Sequence, residues 1–163
     1  NNLPGDNVDV TQSMDKMYSA AQRSRSGYGD MLSNVSKSMT LAGGSFQNNI
    51  DNAIKFQEIM AKAYTIGGAS AAEQSSSMYQ LIQALGSGVL QGDELRSVRE
   101  GAPIAYKAIE QFAQGVLNTE ESLKDLASQG KITSDMVVAA IMLVVVFFHP
   151  IEKEVAAMHA ERG

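Results

Sequence analysis

The fold of this chain is decided by the stretch LGSGVLQGDELRSVREGAP, which runs from Leu85 to Pro103. The helical pattern before it ends in a turn with two glycines, Gly86 and Gly88. A short charged segment follows, and Gly101 and Pro103 then open another helix, because a proline at the first helical position gives up an N–H that would have no partner there. The stretch is interpreted as a loop between two helices, and it contains no nucleophile–base pair or metal-ligand cluster.

The helix before this stretch has the clearest start signal in the sequence. Ser70 and Glu73 have the spacing of a capping box, in which the serine oxygen accepts from the third backbone N–H and the glutamate accepts from the serine N–H. Gly86 stands where a left-handed residue commonly ends a helix. Apolar residues at helical spacing lie between these signals and predict a buried face. They are Met78, Leu81, Ile82 and Leu85.

Three further helices are predicted upstream, separated by glycines. The first begins at residue 9 and is interrupted by Gly27 and Gly29, and the next two cover residues 30–41 and about 46–64, after a polar lead-in over residues 1–8. The first is expected to bury Val10, Met14, Met17 and Ala21, and the second Leu32, Val35 and Met39. The third has the broadest apolar surface, which favours a central place in the core.

Downstream of Pro103 the pattern predicts four more helices. The first has the stripe Ala105, Ala108, Ile109, Phe112 and Val116, and the next is capped by Thr119 and ends before Gly130. A helix from Asp135, capped by Thr133 or Ser134, leads into residues 144–148, part of which could be extended. Residues 151–162 form the last. The predicted fold class is all-α, a compact bundle of about six to eight short helices separated by Gly-rich turns.

Composition and charge exclude several classes of function. The chain has 163 residues, which fits a single helical domain over 1–163, and a formal net charge of −5. An acidic chain with scattered Lys and Arg argues against nucleic-acid binding, which usually needs a basic face. The absence of cysteine excludes a disulfide framework and a thiolate zinc site. The start of the sequence has no initiator Met and no signal-peptide pattern, so we expect a fragment of a longer chain.

No catalytic, metal or cofactor site is predicted. The two histidines, His149 and His159, are ten residues apart around a proline and lack the i, i+4 spacing of a helical metal pair. The acidic residues of the second half are explained as helix caps and solvated faces rather than as a glycosidase pair. They are Asp93, Glu94, Glu100, Glu120 and Glu121.

The apolar run over residues 136–148 leaves three alternatives open. Its 13 residues are fewer than the roughly 20 that a membrane-spanning helix needs. Burial in the core, an interface with a partner or a second copy, and membrane contact are all consistent with it. A membrane-active helical module is therefore the alternative function.

Several segments together resemble the tape-measure domain of tailed-bacteriophage or prophage tail tape measure proteins. They are YTIGGASAAEQSS (64–76), QALGSGVLQGDELRSV (83–98), EGAP (100–103) and LASQGKITSD (126–135), with MYSAAQRSR (17–25) and FQEIM (56–60) upstream. They occur in the family's order and at similar intervals. The resemblance covers about residues 14–142, and residues 143–163 depart from the family pattern.

This resemblance implies a structural, non-enzymatic protein of the phage tail. Proteins of that family are largely helical, occupy the tail tube during assembly, set its length and leave before DNA passes. The implied partners are the tube protein, tail assembly chaperones and sister copies, so an oligomer is an expected state. The implied location is the tail interior of the virion, after synthesis in the cytoplasm of the bacterial host.

Within this interpretation, the loop from Gly88 to Pro103 is the candidate protein-contact surface. Its proposed contact residues are Asp93, Glu94, Arg96 and Arg99. A second set is assigned to structural turns and caps. It contains Ser70, Glu73, Gly86, Gly92, Gly101, Pro103 and Gly130.

Overall fold

The structure is a computed structural model that describes the backbone of residues 4–144 and the side chains of residues 10–144. Within these residues the chain forms eight α-helices, and the all-α prediction is confirmed. The helices are α1 (Pro4–Arg23), α2 (Tyr28–Ala42), α3 (Ile50–Ile66), α4 (Ala71–Ser87), α5 (Gly92–Gly101), α6 (Pro103–Leu117), α7 (Leu123–Ser128) and α8 (Ser134–Leu143). Their apolar faces meet in one continuous core.

Helix α1 is longer than predicted and only partly buried. It begins at Pro4 rather than after residue 8, so the predicted polar lead-in is wrong. Proline fits there because a first-turn N–H has no helical partner. Met17 is buried, but Val10 and Met14, both expected in the core, are 58% and 44% exposed. Among the described side chains of α1, the buried apolar ones begin at Met17 and lie in the C-terminal half of the helix.

Helix α3 is central, as its broad apolar surface predicted. It buries nine of its residues, among them Phe56, Met60 and Tyr64. Its predicted start at Phe46 is wrong, because Gln47 and Asn48 both adopt left-handed backbone conformations that break the helix. Phe46 instead lies buried in a 3₁₀ turn, with its ring 5.4 Å from that of Phe56 in an edge-to-face pair.

Helix α4 starts as predicted and ends later. The Ser70 hydroxyl accepts from the Glu73 N–H at 3.1 Å, and the Glu73 carboxylate accepts from the Ser70 N–H at 3.2 Å. Gly86 does not end the helix, because the left-handed position belongs to Gly88, with φ +87°. A Cβ at Gly86 would lie 3.2 Å from the Leu41 Cβ, so Gly86 allows α2 and α4 to approach closely.

Most of the predicted loop from Gly88 to Pro103 is a helix, because α5 occupies Gly92–Gly101, so the loop prediction is wrong for that part. Glu94 accepts from the Gln91 N–H at 2.8 Å and caps α5, while Leu95 and Val98 are buried beneath it. Gly92 is the first residue of this helix and Gly101 is its last, so neither is a turn residue. Pro103 occupies the first turn of α6, where the sequence placed it.

The last three helices differ from the prediction mainly at their ends. Val116, expected in the stripe of α6, is 58% exposed. Ser122, rather than Thr119, caps α7 by accepting from the Asp125 N–H at 3.1 Å. Gly130 has φ +72° in the turn after α7, and Thr133 caps α8 by accepting from the Met136 N–H at 3.2 Å.

Two distant connections are joined side by side. Val89 and Thr133 form an isolated antiparallel bridge between the α4–α5 and α7–α8 connections. The Ser134 hydroxyl also donates to the Leu85 carbonyl at 2.7 Å, inside the core. The segment that contains α5, α6 and α7 therefore has its two ends joined to each other and to the end of α4.

Two predictions fall outside the described residues, namely the extended conformation near residues 145–148 and the final helix over residues 151–162. Among residues 4–144, the structure has no helix of the length and apolar character needed to cross a membrane.

Candidate protein-contact site

A chain of hydroxyl groups fastens α5 to α3 and α4. The Ser97 hydroxyl donates to the Glu94 carbonyl at 2.9 Å, and the Ser77 hydroxyl donates to Ser97 at 3.1 Å. The Tyr64 hydroxyl is hydrogen-bonded to Ser77, and it is the donor because the Ser77 proton points to Ser97. Burial raises the pKa of Tyr64 to about 12, so the phenol keeps its proton at neutral pH.

The end of α5 is packed against the end of α3 without room for a side chain. A Cβ at Gly67 would lie 2.3 Å from the carbonyl oxygen of Gly101. A Cβ at Gly101 would lie 3.0 Å from two ring carbons of Tyr64. Together with the hydroxyl chain, this contact attaches the inner side of α5 to α3 and α4 and leaves its outer face toward solvent.

Three of the four predicted contact residues lie on that outer face. Asp93, Arg96 and Arg99 are exposed, and Asp93 forms an ion pair with Arg96 across one turn. Such an exposed pair contributes little to stability. Glu94 is different, because it is half-buried and its carboxylate is engaged in capping the helix.

The outer face of α5 borders a groove that the sequence did not predict. The groove has a volume of about 420 Å³ and is completed by Tyr106 of α6 and Lys124 of α7. The pKa of Tyr106 is raised overall, first by burial and then by the nearby Glu110, and the opposing effect of Arg99 does not cancel this. Tyr106 and Lys124 give no local signal in the sequence, because only the packing of α6 and α7 on α5 brings them to this place.

A second groove, between α6 and α8, is apolar. It has a volume of about 440 Å³, and Phe112 and Leu143 line its two sides. Of the apolar run over 136–148, Val137 and Ile141 are in the core, whereas Leu143 is 54% exposed. Most of the described part of this run is thus buried in the core. Residues 145–148 are not among the described residues.

Three of the five acidic residues, Asp93, Glu94 and Glu121, form side-chain contacts within the local structure. Hydrogen bonding from Gln129 lowers the pKa of the exposed Glu121, whereas a glycosidase acid needs a raised pKa. Within residues 10–144, no three Asp or Glu side chains are grouped closely enough to hold a metal ion. His149 and His159 lie outside this range.

Comparison with known protein families identifies a match that covers nearly the whole chain. The sequence model of a protein family described as "Tape measure protein" matches residues 1–160. The match extends beyond the resemblance over residues 14–142 at both ends and includes most of the segment over 143–163. Neither the curated proteins nor the solved structures contain a match.

Proposed function

The chain belongs to the tape measure protein family, whose members are structural components of phage tails, and from this we propose that it is a folded protein-contact module of a tail tape measure protein. The module takes part in tail assembly and in tail-length determination by binding other tail proteins. It has no catalytic role. Its partners are the tube protein, the tail assembly chaperones and sister copies, and it is located in the tail interior after synthesis in the host cytoplasm.

The close packing of the inner side of α5 is the observation that supports this proposal best. The inner side of α5 is fixed by Leu95, by Ser97 and by the contact of Gly101 with Tyr64. Its outer side carries Arg96 and Arg99 toward solvent. A surface that is fixed before binding loses little conformational entropy on association, and this favours a binding role over that of a passive connection.

The proposal is tested by reversing both charges on this face, Arg96→Glu and Arg99→Glu, in the full-length tape measure protein of the phage. We expect defective or aberrant tails, because the changed side chains face solvent and the core residues of α5 are untouched. Electron microscopy of the tails provides the readout. Circular dichroism of the isolated chain should show that the double variant remains folded.

A matched control reverses two exposed lysines elsewhere, Lys37→Glu on α2 and Lys55→Glu on α3. This double variant makes the same change in net charge but leaves α5 intact. Tails of normal number and length in the Arg96/Arg99 variant, or equal defects in both variants, would contradict the proposed role of α5.

A further inference from the structure

The groove beside α5 is a local concentration of positive charge on an acidic chain. Arg96, Arg99 and Lys124 line it, and Asp93 is the one carboxylate among its lining residues. The chain as a whole carries a formal net charge of −5. The sign of the groove is thus opposite to that of the molecule, and an anionic ligand would be attracted only at short range.

The donors of this groove are largely unused. Within the described part of the chain, Asp93 pairs with Arg96, whereas Arg99 and Lys124 form no ion pair. The hydroxyl of the half-buried Tyr106 likewise has no hydrogen-bond partner among these residues. Leu95, which is 2% exposed, forms the apolar floor. The groove therefore offers two charged donors and one neutral donor above an apolar surface.

Building on the proposed function, we infer that this groove binds an acidic segment of a partner tail protein, with Arg99 and Lys124 binding its carboxylates and Tyr106 donating a hydrogen bond. Charge-assisted hydrogen bonds of this kind are about twice as strong as neutral ones. An arginine also binds a carboxylate through two parallel N–H groups, which adds orientation to affinity. The groove thereby selects for negative charge and for the spacing of carboxylates along the partner.

Two other anions fit the groove less well. Nucleic acid needs a continuous basic surface that contacts many phosphates, and three cations on a chain of net charge −5 do not form one. Inorganic phosphate is typically bound by the free N–H groups of a helix N-terminus. At α5 the Glu94 carboxylate already lies at that end and accepts from the Gln91 N–H, so a second anion would be repelled there.

The test uses the 163-residue chain and a fluorescein-labelled peptide of about 12 residues in which Glu and Ala alternate. Fluorescence anisotropy should show binding that weakens with added NaCl, because the contacts are ionic. The variant Arg99→Glu/Lys124→Glu should weaken binding at least tenfold, whereas Lys37→Glu/Lys55→Glu should change it less than twofold. Amide chemical shift changes in the wild type should centre on residues 92–99, 106 and 124.

Additional measurements distinguish the acidic-segment inference from other anionic ligands and from the proposed contact role of α5. No peptide binding, equal loss in both double variants, shift changes centred elsewhere, or preferential binding of a 12-nucleotide thymidylate or of inorganic phosphate would overturn it. A matched Gln–Ala peptide should not bind. If the Arg96/Arg99 variant forms defective tails while the peptide does not bind, the contact role of α5 stands and the acidic partner is wrong.

Discussion

At the scale of single residues, the buried hydroxyl of Tyr64 makes stability depend on alkaline pH. Its pKa is raised from 10.0 to about 12 in the folded chain, so the unfolded chain loses its proton first. The stabilisation is complete below pH 10.0 and is lost as pH rises toward 12.

The variant Tyr64→Phe removes this dependence together with the hydrogen bond to Ser77. At pH 7 we expect a loss of about 1 kcal/mol in the free energy of unfolding. Urea denaturation followed by circular dichroism should show the wild type and the variant converging above pH 10. The exposed Tyr79→Phe is the control, and a difference that stays constant up to pH 11 would contradict the prediction.

The contact of Gly67 with Gly101 provides a second residue-scale prediction. Gly67→Ala places a methyl group against the Gly101 carbonyl and should lower the free energy of unfolding by about 2 kcal/mol or more. Gly115→Ala in α6 is the matched control, because its Cβ meets open space and alanine favours the helix by about 0.5–1 kcal/mol. Equal effects of the two changes in thermal melts would show that the α3–α5 contact adapts easily.

Sequence reasoning succeeds at this scale where a signal is local. The capping pair Ser70 and Glu73 and the helix-opening Pro103 each depend on a few neighbouring residues. Gly86 was misplaced because two glycines, 86 and 88, compete for one left-handed position, and contact with Leu41 decides between them. Tyr106 and Lys124 could not be assigned to a site, because their neighbours come from other helices.

At the scale of elements, ion pairs attach α1 to α3. Arg23 donates to Glu58 at 2.6 Å, and Lys62 lies 3.2 Å from the same carboxylate. Burial raises the pKa of Glu58, but the hydrogen bonds and charges of Arg23 and Lys62 more than offset this, so the pKa is lowered. The ionised carboxylate therefore stabilises the fold at neutral pH.

Replacing this carboxylate, Glu58→Gln, should lower the free energy of unfolding by about 1 kcal/mol at pH 7. Because the folded pKa is below the usual 4.5, this stabilisation is lost as pH falls through that lowered value, and the two proteins should then become equally stable. Denaturant titrations from pH 7 to pH 3 measure the effect. The exposed Glu100→Gln serves as control, and a difference independent of pH would exclude the ionic explanation.

The helices that were predicted well are those with long apolar stripes. α3 buries residues from Ala53 to Tyr64 and α4 buries residues from Ser77 to Leu85, so the helical periodicity repeats over more than two turns in each. α5 was missed because only Leu95 and Val98 mark its buried side among charged residues. Its short length gives too few repeats for periodicity to distinguish a helix from a charged loop.

At the scale of the whole molecule, the continuous core predicts cooperative unfolding. α1 to α8 all contribute buried residues to it, from Met17 to Val144. Urea transitions followed by far-UV circular dichroism and by tyrosine fluorescence should therefore coincide. Two separated transitions would show that the chain contains more than one folding unit, and would contradict the single-domain prediction.

The repeated reversals of the chain have a mechanical consequence. A helix rises about 1.5 Å per residue, so residues 4–144 as one straight rod would reach roughly 200 Å, whereas the longest helix here spans about 30 Å. The folded bundle is therefore much shorter than the same residues would be as one continuous helix. If tension across the module pulled the helices apart while each stayed helical, the distance between the chain ends would increase by a length on the order of 150 Å.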